Sequence, residues 1–135
     1  MIKEINLTTG DYQSWQDITA QVAKIVEESG VSEGLCLVHN PHSTAGIFVN
    51  SYLDPMTPKD ILHDLDRLVP TRVDFFHQFD SPTDASAHIK SVLMGHQTFV
   101  IIREGKLLLG GSQGIIFADF DGPRERKVFV KVIAD

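Results

Sequence analysis

Histidine is the residue type in this sequence that most clearly points to chemistry. Imidazole is the commonest metal ligand in proteins, and its unperturbed pKa lies near neutrality. These side chains therefore predict either a metal site or a general base, wherever the fold brings some of them together. The six histidines are His39, His42, His63, His77, His88 and His96.

Two predicted helices each place a histidine within one turn of a carboxylate. Asp84 and His88 are four residues apart, so they share a helix face and the carboxylate can orient the ring. Asp60, His63 and Asp64 lie within one turn of an earlier helix and can form a similar cluster. We expect His88, half inward on its helix, and Asp64 to be catalytic residues.

Two further histidines lie outside the predicted helices. His42 occupies a polar loop that follows a buried strand, and His77 lies between aromatic residues that would desolvate it. We expect His42 and His88 to be catalytic and to converge on one pocket, with His77 as a third ligand to a shared ion. Zinc would require ligand distances of about 2.0–2.2 Å. The alternative is a phosphate or sulfate held by protonated rings and Lys90.

The same residues also have less specific interpretations. A single histidine is more often a surface group or a satisfied polar group in the core, and no pair here has the HExxH or CxxC spacing. The acids at 60, 64 and 66 are typical of a solvated helix face, and Cys36 is typical of inert packing. The segment Asp121-Gly122-Pro123-Arg124 is more typical of a hairpin turn than of a catalytic loop.

Composition limits the classes of protein to which the chain can belong. With 135 residues it has the length of a single domain, which we place at 1–135. Its 42% hydrophobic and 22% charged residues exclude wholesale disorder. A net charge of −6 argues against a nucleic-acid partner. A single cysteine, together with the absence of a membrane-spanning apolar run or signal peptide, predicts a cytoplasmic protein without a membrane partner.

Periodicity predicts the elements of the first half of the chain. Alternating apolar residues predict a strand over 2–7, and helical spacing predicts a helix over 15–29 that ends at Gly30. Short apolar runs predict strands over 34–38 and 46–50. A second helix is expected from Thr57-Pro58, with Thr57 as its cap and an apolar stripe over 61–68.

The second half is expected to be one helix followed by strands. Ser81-Pro82 predicts the start of a third helix that ends at Gly95, and its inward residues are expected to be Ala85, Ile89, Val92 and Leu93. Strands are expected over 99–102, 107–109, 115–117 and 128–132. The fold class is α+β, a strand-dominated two-sheet sandwich with about three flanking helices.

Taken in chain order, several short motifs resemble the YjbQ-type family, called secondary thiamine-phosphate synthase enzymes. They extend from about residue 35 to the C-terminus, and their specificity comes from their order and spacing. The motifs are His42-Ser43-Thr44-Ala45-Gly46, Asn50 with Asp54-Pro55, His63-Asp64, Asp84-Ala85-Ser86-Ala87-His88-Ile89-Lys90, Gly95, Gly105, Gly110-Gly111-Ser112-Gln113-Gly114-Ile115 and Phe120-Asp121-Gly122-Pro123-Arg124.

The resemblance implies a compact sandwich that assembles as a homotrimer. It implies a polar pocket near a subunit interface, built from the His42, His88 and Asn50/Asp54 motifs. The implied reaction joins a hydroxymethylpyrimidine pyrophosphate to a thiazole phosphate, which the family carries as a secondary activity. Members usually have Glu after the Asn of the second motif and Trp before the Gln of the late motif, where this chain has Ser51 and Ser112.

The chemistry of that reaction can be compared with the residues present. Displacing pyrophosphate requires neutralisation of the leaving group by Mg²⁺, by Lys or Arg, or by helix N-termini. Asp54 and Asp64 are candidates to hold such a metal. Lys90 and either Arg124 or Arg126 could bind phosphate, although these arginines could equally serve only to solubilise a loop. The expected substrate-binding residues are Ser43, Thr44, Asn50, Asp54, Lys90, Gln113, Arg124 and Arg126.

Three functions are therefore compatible with the sequence. The first is a thiamine-phosphate-synthase-type enzyme that acts on phosphorylated small molecules. The second is a non-catalytic metal- or phosphate-binding protein in which Ser51 and Ser112 mark lost chemistry. The third is a metal-assisted hydrolase in which a divalent ion, Mg²⁺ or Zn²⁺, activates water.

Overall fold

The computed structural model describes all 135 residues, which form eight strands and three helices. Every predicted strand is present, most of them longer than expected. In chain order the elements are β1 (Ile2–Thr8), β2 (Ser14–Asp17), α1 (Thr19–Ser29), β3 (Gly34–His39), β4 (Ala45–Ser51), α2 (Met56–Leu68), α3 (Pro82–Met94), β5 (Gln97–Arg103), β6 (Lys106–Leu107), β7 (Gln113–Asp119) and β8 (Glu125–Ala134).

The strands form two antiparallel sheets. The larger sheet has the order β1-β8-β3-β5-β6, and the smaller one has the order β2-β7-β4. In the smaller sheet, Ala45 of β4 pairs with Asp119 of β7 at one end, and Ser51 pairs with Gln113 at the other. This register assigns the polar motifs of β4 and β7 to two opposite ends of the sheet.

The main core lies between the two sheets. Alternating residues of the larger sheet, such as Cys36, Val38 and Val128, face Ile47 and Phe117 of the smaller sheet, and all five are buried. Helix α1 closes this core with Val22 and Val26. The two facing sheets confirm the predicted sandwich.

Helices α2 and α3 cover the outer face of the smaller sheet. Leu62 and Leu65 of α2, Ala87 of α3, and Ala118 and Phe120 form a second, smaller core. The three helices therefore flank the sandwich, as expected, with two of them on one face.

The inward face of α3 differs from the prediction. Ala85 is buried, but Ile89, Val92 and Leu93 are 39%, 82% and 60% exposed, and the helix instead buries Asp84, Ser86, Ala87, Lys90 and Ser91. Small residues allow the helix to lie close to β4: Ser91 Oγ donates to the Ala45 carbonyl at 2.6 Å. A Cβ at Gly46 would lie 2.8 Å from Cβ of Met94. This close approach overrides the apolar periodicity.

Two other boundaries were predicted wrongly. Residues 15–17 belong to β2, because they pair with β7, and α1 begins only at Thr19. Helix α2 begins at Met56, whose N–H donates to Asp54 Oδ1 at 2.9 Å, so Asp54 rather than Thr57 binds the free N–H groups of the first turn. None of the helices combines the length and apolar character needed to span a bilayer. The cytoplasmic location stays a prediction.

Candidate metal centre

The start of α3 fixes the first two members of the site. Ser81 caps the helix, since its Oγ accepts the N–H of Asp84 at 3.3 Å, and Pro82 occupies the first turn. Asp84 and His88 therefore lie on one face, one turn apart. Asp84 is buried, and His88 is about two-fifths exposed at its side chain.

His77 joins this pair from the segment before the helix. Its Nε2 lies 2.9 Å from Asp84 Oδ2, and Nε2 of His88 lies 3.2 Å from the same oxygen. The two imidazole centroids are 5.3 Å apart, and one ligand atom from each of the three residues lies within 4.8 Å of the others. Two imidazoles and one carboxylate with an open side form a donor set that suits zinc and other divalent transition metals.

The tautomer of His88 follows from its second nitrogen. Nδ1 lies 3.1 Å from the carbonyl oxygen of Ser43, which can only accept, so Nδ1 carries a proton. If the ring is neutral, Nε2 then carries a lone pair, which faces the Asp84 carboxylate. Two acceptors at 3.2 Å require a proton or a cation between them. Metal-bound histidines commonly show this arrangement, with the other ring nitrogen donating to a carbonyl.

Asp121 adds a second carboxyl group to the cluster. Burial raises the pKa of Asp121, and its side-chain hydrogen bond to Asp84 raises it further, against the opposing effect of Arg124. Burial also acts to raise the pKa of Asp84, but the hydrogen bonds from Asp121 and His77 and the charge of His88 outweigh it and leave that pKa lowered. Asp84 therefore ionises more readily than Asp121.

A groove of about 440 Å³ opens beside the cluster. His77 and His88 line it together with Phe75, Phe76 and Ile89. Arg72 also lines it, with its guanidinium carbon 4.1 Å from the centroid of the Phe75 ring. The groove therefore offers aromatic surface and a cation next to the candidate ligands.

His42 does not belong to the set of atoms that can share one ion with His88. Its Nε2 accepts the N–H of Lys127 at 2.9 Å, so it is not free to bind a metal there. Burial lowers the pKa of His42, and the nearby Arg126 guanidinium lowers it further. The expectation of a shared His42–His88 ion is corrected to His77, Asp84 and His88. His88 nevertheless contacts the loop that carries His42, through Ser43.

Two of the expected phosphate ligands are buried in ion pairs. Nζ of Lys90 donates to Gln13 Oε1 at 2.8 Å and pairs with Asp66, and the lysine is 1% exposed. Arg126 forms a two-bond pair with Asp119, at 3.0 and 2.7 Å. Neither presents a free charge to solvent. Arg124 is different, because its side chain is 54% exposed while it donates to Asp121 Oδ2 at 2.9 Å.

The remaining predicted residues lie away from the cluster. Asn50 and Gln113 are at the opposite end of the β4–β7 pair from Asp119, about 17 Å along the strands. Asp54 precedes α2, and Asp64 is an exposed residue that pairs with Arg67 at 3.6 Å. A single chain therefore does not bring Asn50 to the His88 end of the sheet. Ser43 and Thr44 do lie at the His88 end.

Sequence reasoning missed Asp84 and Asp121 as members of the site. The four-residue spacing from Asp84 to His88 was the available signal, but it suggested only an orienting role. Asp121 was hidden within a segment typical of a turn, and its approach to Asp84 depends on tertiary structure.

Comparison with known proteins places the whole arrangement in one family. A family model described as UPF0047 protein YjbQ-like matches residues 3–135. A UPF0047 protein of Methanocaldococcus jannaschii is 40% identical over 135 residues, covering 100% of this chain and 96% of the relative. The UPF0047 protein YugU of Bacillus subtilis is 36% identical and covers 98% of this chain and 99% of its own length.

Solved structures agree with these sequence relatives. A YjbQ/UPF0047 family protein of Clostridium acetobutylicum has a TM-score of 0.90 and 48% identity, with 97% of this chain and 99% of that chain covered. A YbjQ-like protein of unknown function from Sulfolobus solfataricus has a TM-score of 0.94 and 32% identity, over 100% and 97%. These similarities establish the fold and the family of this chain, and they do not assign it a particular activity. The chain belongs to the UPF0047 family of YjbQ-like proteins.

Proposed function

We propose that this protein is a divalent-metal-dependent enzyme that hydrolyses a phosphorylated small molecule. The observation that supports this most is the cluster of His77, Asp84 and His88, with ligand atoms within 4.8 Å of one another and Nε2 of both histidines within 3.2 Å of the Asp84 carboxylate. Three protein ligands with an open side are typical of catalytic rather than structural zinc sites.

Each residue of the site has a distinct part in the proposal. A bound divalent ion would polarise a phosphoryl oxygen and acidify a water molecule. His77, Asp84 and His88 hold that ion, and Ser43 fixes the ring of His88. Asp121 lies beside Asp84 and accepts from Arg124, and the exposed part of the Arg124 side chain faces a phosphate.

The test is a hydrolysis assay on metal-free protein with Zn²⁺, Mn²⁺ or Co²⁺ added back and p-nitrophenyl phosphate as substrate. We expect turnover that requires added metal and falls at least about 100-fold in Asp84→Asn. Asp64→Asn, on the exposed face of α2, is the matched control and should keep full activity. Metal binding without turnover would instead support a non-catalytic binding protein, and turnover that survives Asp84→Asn would overturn the site.

Thiamine phosphate formation is the second candidate. The groove beside the cluster supports it, since the exposed Phe76 offers a surface for an aromatic ring, and Arg72, whose Nε pairs with Asp74 at 2.7 Å, keeps its terminal nitrogens for a phosphate. Incubation with both thiamine precursors and Mg²⁺ should then yield thiamine phosphate in the wild type but not in His88→Ala. Equal product from the two proteins would remove this candidate.

Homotrimeric assembly stays part of the proposal. The exposed apolar residues of α3 and of the segment before it support an interface, because contiguous apolar surface commonly marks one. These residues are Val73, Phe76, Phe79, Val92 and Leu93. Light scattering should give about three times the chain mass of 15.0 kDa, and a mass near one chain would contradict it.

A further inference from the structure

Two buried residues outside the candidate ligand set connect to both of its α3 members. We propose that Arg126 and Asp119, acting as one ion pair, are positioning residues for the cluster. On one side they fix the position of the Ser43 carbonyl, which contacts His88. On the other side they fix the position of Asp121, which approaches Asp84. This inference rests on the proposed metal site and assigns a role to a pair that touches neither the ion nor the substrate.

The pair itself is rigid and dry. Arg126 donates through Nε to Asp119 Oδ2 at 3.0 Å and through one terminal nitrogen to Oδ1 at 2.7 Å. The two side chains are 5% and 0% exposed. Thr9 donates its hydroxyl to Asp119 Oδ2 at 2.7 Å, so this oxygen is held twice. A buried two-bond geometry of this kind fixes orientation more tightly than a single-point contact does.

The first connection runs from Arg126 to His88. The same terminal nitrogen of Arg126 donates to Thr44 Oγ1 at 2.8 Å, and Thr44 follows Ser43, whose carbonyl oxygen lies 3.1 Å from His88 Nδ1. On the other side of Ser43, His42 is anchored by the N–H of Lys127 at 2.9 Å. The Ser43 carbonyl is therefore held between two anchors on β8.

Asn40 strengthens the same loop from within. This buried side chain accepts the N–H of His42 at 2.9 Å and donates to the Ala45 carbonyl at 2.9 Å. With both ends of the loop fixed, the carbonyl of Ser43 holds the proton on Nδ1 of His88. Nε2 is then directed at Asp84 before any ligand arrives.

The second connection runs from Asp119 to Asp84. Asp119 Oδ1 accepts the main-chain N–H of Asp121 at 2.9 Å, which fixes the turn after β7. Asp121 accepts from Arg124 at 2.9 Å and lies close enough to Asp84 for that carboxyl group to raise its pKa. One ion pair therefore holds both the loop whose Ser43 carbonyl contacts His88 and the turn whose Asp121 side chain approaches Asp84.

The test uses three variants of the full chain. Thr44→Val removes only the acceptor of the first connection and keeps the ion pair. Arg126→Lys keeps the charge but loses the two-bond geometry. Lys131→Gln, an exposed change on the same strand, is the matched control. Circular dichroism confirms folding, and Thr44→Val serves if Arg126→Lys does not fold.

Two readouts separate positioning from the metal site itself. The first is the ¹⁵N NMR spectrum of His88 in metal-free protein, where we expect a proton fixed on Nδ1 in the wild type and control and partly lost from Nδ1 in the two variants. The second is Co²⁺ titration followed by the visible d–d bands. Loss of an outer partner typically weakens metal binding about 10- to 100-fold, and we expect altered bands at saturation.

The outcomes are distinguishable. A wild type that binds no Co²⁺ but keeps the proton on Nδ1 of His88, with this proton partly lost in both variants, would contradict the proposed function and leave the positioning role standing. Folded variants with wild-type Nδ1 protonation, affinity and bands would overturn the positioning role while the metal site stands.

Discussion

The two ends of the smaller sheet differ sharply in how their polar residues are held. At the Ala45/Asp119 end, Thr44, Asp119 and Arg126 are buried and connected by hydrogen bonds to one another. At the Ser51/Gln113 end, Asn50 and Gln113 are exposed, and their side chains accept from N–H groups one and three residues away in the chain. Both ends carry polar motifs in the sequence, but only one builds a pre-oriented cluster.

Burial explains the difference. A buried polar group must be bonded, because leaving it unpaired costs about 1–3 kcal/mol, so each buried residue restricts its neighbours. Exposed residues can bond to water instead and stay unrestricted. Within a single chain, the polar residues at the Asp119 end are therefore held in fixed orientations, whereas those at the Gln113 end are not.

The largest effect is expected when the carboxylate of the cluster is removed. Asp84→Asn should weaken Co²⁺ binding by at least about 100-fold, because a neutral amide replaces the charged ligand between two imidazoles. Asn50→Ala, at the other end, should leave the affinity unchanged. Isothermal titration calorimetry measures both, and equal losses in the two variants would erase the distinction between the ends.

The next effect concerns the buried pair. Asp119→Asn should lower the free energy of unfolding by about 3–5 kcal/mol, because it leaves the buried Arg126 charge without its partner. The exposed Asp64→Asn should change it by less than about 0.5 kcal/mol. Urea denaturation compares them, and a change of less than about 1 kcal/mol in Asp119→Asn would show that the network is not strongly coupled.

The carboxylate of Asp119 also predicts that the free energy of unfolding depends on pH in the acid range. Burial acts to raise the pKa of Asp119, but the bonds from Arg126, Thr9 and the Asp121 N–H outweigh it and leave that pKa lowered. A lowered pKa gives stability that is complete above the unfolded value of about 3.9 and lost as the pH falls through the folded value. Stability curves of the wild type and Asp119→Asn should therefore converge below about pH 4, and a constant gap would contradict this.

A smaller effect is expected at His42. Its pKa is lowered by burial and by Arg126, so the unfolded state binds the proton more tightly. The contribution of His42 to stability should be complete above the unfolded pKa of about 6.5 and decline as the pH falls below it. His42→Gln should flatten this part of the urea-midpoint curve, whereas His63→Gln, exposed on α2, should not.

The smallest effect is expected at the opposite end of the sheet. Ser51→Glu introduces a carboxylate at the end of β4, but this position lies about 20 Å along the strand from Ala45. We expect Co²⁺ affinity and unfolding midpoint to stay within error of the wild type. A clear gain in metal affinity would contradict this. It would mean that residue 51 lies beside the His77, Asp84 and His88 cluster of another copy of the chain, at an interface.

The sequence was sufficient for the architecture and for part of the site. Strand alternation and apolar runs located the sandwich, and the spacing of Asp84 and His88 located one side of the cluster. The inward face of α3 was predicted wrongly because periodicity assumes that large apolar residues are buried. Here Ser91 of α3 and Gly46 of β4 allow the helix and the strand to lie close together. This contact turns Val92 and Leu93 outward. His77 and Asp121 lie outside regular elements, where no period indicates which side chains will meet.

The proposed site requires one ion to bind His77, Asp84 and His88 together. A crystal structure of the zinc-loaded protein, with anomalous data at the zinc edge, would locate that ion. We expect one strong peak about 2.0–2.2 Å from Nε2 of His77, Nε2 of His88 and a carboxylate oxygen of Asp84. A zinc peak on His42 instead, or no peak at this cluster at saturating zinc, would contradict it.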